Sequence, residues 1–155
     1  MASFLYDNAK AKLSDGTINW IGDTLKLMLV TSAYAPSQSH VNVSSASVTE
    51  LSGTGYVAGF GGSGRMAIPS KSSSVDSVNH HGDLTETGSV IWSAINAGTV
   101  RYVLVIKEVG SADSSSLLVA CIDSDLLPQL APNGIVTNGS DLILNWTNNT
   151  VIECL

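Results

Sequence analysis

Three short stretches constrain this fold most: Leu25-Lys26-Leu27-Met28-Leu29-Val30-Thr31, Val100-Arg101-Tyr102-Val103-Leu104-Val105-Ile106-Lys107 and Leu117-Leu118-Val119-Ala120-Cys121-Ile122-Asp123. Each is apolar at almost every position yet ends within seven or eight residues at turn-forming or charged neighbours. Runs of that length rich in Val, Ile and Leu read as strands, the first of them covered on both faces, whereas a buried helix needs at least ten to twelve residues or so. Lys26 is expected at the solvent-facing start of the first. Val100, Tyr102, Leu104 and Ile106 can share one face of the second.

The remaining elements are less regular. Gly53 to Gly59 reads as the start of a strand and Val90-Ile91-Trp92 as another, while 141–146 and 151–155 read as a closing hairpin turned at Asn148-Asn149. Phe4 to Leu13 places Leu5, Ala9 and Leu13 at a spacing of four, the pattern of a short amphipathic helix ended by Ser14-Asp15-Gly16. Two polar excursions interrupt the pattern, one from Ala35 to Ser47 with a helical turn and one from Pro69 to Gly88. The expected fold is therefore mainly β: one domain over residues 1–155, a β-sandwich or partly closed β-barrel with a short N-terminal helix.

Only 13% of residues are charged, well under the roughly 25% of ordinary soluble domains, so Ser, Thr, Asn and Gly must supply the polar surface. A weakly charged surface of that kind suits a subunit that works packed against copies of itself or a lattice. Seven Lys and Arg against thirteen Asp and Glu give a net charge of −6, which opposes binding to nucleic acid by counterion release. No stretch approaches the roughly 18 consecutive apolar residues of a membrane span, and Met1-Ala2-Ser3-Phe4 lacks the basic and apolar regions of a leader. Synthesis in a cytoplasm is the expectation. Cys121 and Cys154 are expected as reduced thiols, since a bridge would require their strands to be neighbours in an oxidising setting.

Motifs with chemical potential are few. Gly59-Phe60-Gly61-Gly62-Ser63-Gly64 satisfies GxGxxG, but no strand–helix–strand unit surrounds it, so it reads as a flexible loop rather than a pyrophosphate cradle. His80 and His81, with Asp83 and Glu86 nearby, have metal-ligating chemistry. Adjacent residues of a strand point to opposite faces, however, and an exposed loop is expected there. His40 is expected at the surface. Asp123 and Asp125 alternate at a strand end, a spacing open to acid–base work or Ca²⁺, with strand-end solvation the simpler reading. No GxSxG elbow frames any serine, and the sequons at Asn42, Asn138, Asn145 and Asn148 are expected by chance in an Asn/Ser/Thr-rich chain. No catalytic, cofactor or metal site is assigned.

The order Phe4-Leu5-Tyr6-Asp7-Asn8-Ala9-Lys10, Asp23 to Tyr34, Glu50 to Tyr56, Val90 to Ser93, Arg101 to Val105, Leu117 to Asp123 and Leu142 to Trp146 resembles small virion structural proteins of tailed bacteriophages. The resemblance covers nearly the whole chain. It implies a non-enzymatic capsid decoration or cement protein, assembled in the host cytoplasm and seated on the capsid exterior. The implied partners are the major capsid protein and further copies of itself, as a homotrimer or homodimer. The alternative is a tail-fibre or receptor-binding module in which Tyr34, Tyr56 and Trp92 hold a host glycan. Two stretches depart from the family pattern, the Gly- and Ser-rich 61–79 and the more apolar Leu126-Leu127-Pro128-Gln129-Leu130. Phe4, Leu5, Tyr6, Phe60, Leu126, Leu127 and Leu130 are the expected contact residues.

Overall fold

The computed structural model describes residues 2–154 and, of Thr147, the backbone alone. The three apolar runs form the centre of a five-stranded antiparallel sheet. In it β2 (Lys26–Val30) pairs with β8 (Tyr102–Lys107), and β8 pairs with β9 (Leu117–Ile122). Leu27 to Val30, Val103 to Ile106 and Leu118 to Ile122 are all buried, as strands covered on both faces require. Lys26 opens β2 half-buried, its ammonium 2.5 Å from Glu108 Oε2. The sheet is completed by β1 (Phe4–Leu5) beside β9 and β3 (Met66–Ala67) beside β2.

The N-terminal helix is shorter than its spacing implied. Phe4 and Leu5 extend as β1, opposite Cys121 and Ala120, and α1 begins at Asp7 and runs to Ser14. Main-chain pairing along the open edge of β9 outweighs one more helical turn. Asp7 in the first turn and Lys12 in the last suit the helix dipole, and Gly16 at φ 77° lets the chain turn away. The helical turn foreseen in the first polar excursion is α2 (Ser44–Ser47).

The second polar excursion is not a loop. Residues 71–86 fold into a hairpin of β4 (Lys71–Asp76) and β5 (His81–Glu86), closed by Asp76, whose carboxylate accepts from the Val78 and Asn79 amides. The C-terminal β12 (Thr150–Cys154) pairs with β5, giving a three-stranded sheet ordered β12-β5-β4. The expected closing hairpin is thus not formed, because β11 (Leu142–Ile143) pairs with β6 (Ile91–Trp92) instead. Asn148 and Asn149, both at positive φ, turn the chain toward β5. The run at 100–107 is broken at Arg101. Before it β7 (Thr99–Val100) pairs with β10 (Ile135–Val136), and at the break the Arg101 amide donates to the Val30 carbonyl.

Gly53 to Gly59 makes a tight turn, with a Gly53 to Tyr56 bridge, rather than a strand. β12 lies against β1 and β9, so the two larger sheets share one buried cluster that includes Val151 and Ile152. The protein is mainly β, with antiparallel sheets that are compatible with a sandwich; among the described residues no sheet closes into a barrel.

Candidate functional site

Most residues singled out in the sequence are held in internal bonds. Tyr6, Leu127 and Leu130 are fully buried, Leu5 and Leu126 nearly so, and Phe4 packs edge-on against Tyr6. Five of these six are part of the chain's own core, and Phe4 packs against it half-buried. Leu126 to Leu130 folds inward because the Leu127 amide bonds the Asp123 carbonyl and a 3₁₀ turn follows at Pro128–Leu130. Of the seven, Phe60 alone is exposed, at 38%. Tyr34, Tyr56 and Trp92 are also buried, so they offer no stacking platform to a glycan.

Asp123 forks to Arg101, with Oδ1 2.7 Å from Nη1, while Asp125 accepts from the Ser3 amide and hydroxyl. Burial alone would raise the Asp123 pKa. The Arg101 guanidinium together with the Ser124 amide and a further bond outweighs it and holds the carboxyl at about 2. His40 bonds Tyr34, whose hydroxyl meets that of Tyr6 at 2.7 Å. Cys121 is buried and Cys154 half-buried, both as free thiols, and burial pushes Cys121 up to about 12.

The GxGxxG loop is ordered around a residue that sequence reasoning passed over. Arg65 is fully buried and uses all five guanidinium N–H groups. Nε and Nη2 donate to Glu50 at 2.9 and 2.6 Å, Nη1 and Nη2 to Asp113 at 2.6 and 2.9 Å, and Nη1 to Glu108 at 3.2 Å. The Gly59 and Gly61 amides add bonds to Glu50 and Glu108, and the Tyr56 hydroxyl donates to Glu50. Burial would lower the Arg65 pKa, but the bonds to Glu50 and Asp113 raise it. Gly64 is required by contact, since a Cβ there would lie 2.5 Å from the Tyr56 ring. A network this saturated holds the loop in place and leaves the Arg65 guanidinium no donor for a phosphate.

A different constellation lies on the open face of the three-stranded sheet. His81 and Asp83, two apart on β5, share that face, and Glu153 stands directly opposite Asp83 on β12. One ligand atom from each comes within 4.8 Å of the others. Asp76 sits opposite His81 on β4, its carboxylate 3.9 Å from Nε2. These side chains line a cavity of about 430 Å³ together with Ser74, Asn79 and Asn148. The stretch around the histidines, expected as an exposed loop, is instead a strand that brings part of this group together. His80 occupies the hairpin turn at φ 60°, and Glu86 is buried on the opposite face of β5, where burial raises its pKa. Glu153 joins from 70 residues away in sequence. The spacing of two between His81 and Asp83 is the one sequence signal that could have placed them on one face.

Comparisons with protein-family models, with curated proteins and with solved structures found no match.

Proposed function

We propose that this chain is a non-enzymatic structural protein of a tailed-bacteriophage particle, a decoration or cement protein that binds the outer capsid shell and stabilises it. The likeness of Phe4–Lys10, Asp23–Tyr34 and the later apolar strands to small phage virion proteins supports the choice of particle. The observation that carries an assembly role is β4. It is an edge strand of six residues, paired on one side only, and its charges, Lys71 and Asp76, stand at its two ends. The middle, Ser72-Ser73-Ser74-Val75, has no charge or proline to discourage a further strand, the usual protection of a solvent-facing edge. Val75 and Val78 at the hairpin tip are 82% and 83% exposed. An edge of this kind accepts a strand from a neighbouring subunit through main-chain bonds, with the valines covered at the same time.

The partners are the major capsid protein and further copies of this chain, as a trimer or dimer, on the exterior of a shell assembled in the host cytoplasm. Contacts made only with the expanded shell stabilise it by mass action. Cryo-electron-microscopy reconstruction of the intact particle tests the proposal. Density of this size at repeated positions on the capsid exterior, bridging through the 71–78 hairpin, is the expected result. Density confined to the tail would sink the cement role in favour of receptor binding.

A further inference from the structure

The cavity beside the hairpin has a chemistry of its own. We propose that His81, Asp83 and Glu153 form a binding site for a divalent transition ion of the zinc class, which ties the C-terminal strand β12 to β5.

The donor set is one imidazole nitrogen and two carboxylates brought within 4.8 Å by strand register. An ion with bonds of about 2.0–2.2 Å would close that spread through small side-chain rotations. A second observation marks the site as built for a ligand. The His81 side chain is 7% exposed, and its Nδ1 has no hydrogen-bond partner among the described residues. Asp83 Oδ1 is likewise buried and unpartnered. The two atoms lie 3.2 Å apart without the geometry of a hydrogen bond, so each keeps a lone pair or proton unsatisfied where water is largely excluded.

Charge points the same way. Asp83 and Glu153 are directly opposed across the β5–β12 ladder, an arrangement that is destabilising for like charges. Asp76 adds a third carboxylate at the rim. Among the described residues no lysine or arginine forms an ion pair with Asp83 or Glu153. A bound dication removes the repulsion and satisfies both buried atoms. The imidazole selects the metal: Ca²⁺ and Mg²⁺ take oxygen ligands, whereas nitrogen with carboxylate suits Zn²⁺ and its neighbours.

The test is thermal unfolding of the full chain in EDTA, ZnCl₂ or CaCl₂, with Co²⁺ as an absorbing probe of the ligand set. Zn²⁺ at about a hundredfold excess over its Kd is expected to raise Tm by roughly 5–10 °C. Co²⁺ is expected to give the visible band of a low-coordinate site, and Ca²⁺ to do nothing. His81→Ala and Glu153→Gln should each lose the Zn²⁺ shift and the Co²⁺ band, while His80→Ala keeps both. Glu153→Gln removes a repulsive charge and nearly preserves shape, so it folds even if His81→Ala does not. Equal Tm values for the unmodified protein in EDTA and ZnCl₂ would overturn the proposal. So would a Zn²⁺ shift that survives Glu153→Gln, or stabilisation by Ca²⁺ in place of Zn²⁺.

Discussion

At the scale of single residues, two ion-paired groups hold buried charge, Arg65 and Asp123. Arg65 is matched by Glu50, Glu108 and Asp113, and removing it leaves the fully buried Glu50 carboxylate without a neutralising charge, held only by the Tyr56 hydroxyl and the Gly59 amide. Arg65→Ala is therefore expected to lower unfolding free energy by about 3–5 kcal/mol in a urea titration, far more than loss of an exposed ion pair. Asp123 sets the acid limit. Its folded pKa of about 2 lies below the ordinary 3.8, so the stability it contributes is complete above pH 4 and disappears as pH falls toward 2. The depression corresponds to about 2 kcal/mol. Unfolding measured from pH 5 to pH 2 should show this loss, and Asp123→Asn should flatten the profile while lowering stability at pH 7. The Cys121 thiol, pushed up to about 12 within the core, should resist alkylation until the protein unfolds, when mass spectrometry should find both cysteines modified.

At the scale of elements, the proposed assembly role and the proposed metal site both rest on the hairpin β4–β5. Its tip valines touch solvent and β4 has one free edge, so Val75→Lys should change monomer stability by no more than about 0.5 kcal/mol. The same substitution should prevent binding to shells purified without this protein, as read by co-sedimentation, because a lysine in that edge blocks strand addition. Retained binding would move the contact elsewhere on the surface. The hairpin was hidden in the sequence by its composition. Ser72, Ser73 and Ser74 have a low apparent strand preference, yet all three and Val75 are exposed and no residue of β4 is fully buried, so serine is tolerated and no apolar alternation is needed. The opposite error occurred at Gly53 to Gly59, where Tyr56 and Val57 suggested a strand. There Gly55, at φ 77°, lies against the Ile95 backbone and forces a turn.

At the scale of the whole molecule, the last strand joins the two larger sheets. Val151 and Ile152 are buried in the same cluster as β2, β8 and β9. Ile152→Ala should cost about 2–5 kcal/mol, and far- and near-ultraviolet circular dichroism should still report one coincident transition. Separate transitions would show that β12-β5-β4 unfolds independently of the central sheet.

The sequence by itself determined that the protein is mainly β, where its central strands run, and that a short helix lies near the N-terminus. Length, apolar continuity and spacing are local properties, and burial on both faces writes itself directly into runs such as Leu27 to Val30. What only the tertiary structure decided was partnership. β12 pairs with β5 rather than with β11, Arg65 collects carboxylates from three separate segments, and Glu153 meets Asp83 across a ladder. Those outcomes depend on competition among strand edges for main-chain hydrogen bonds and on the need to neutralise charge removed from water, and both are settled between residues far apart in the chain.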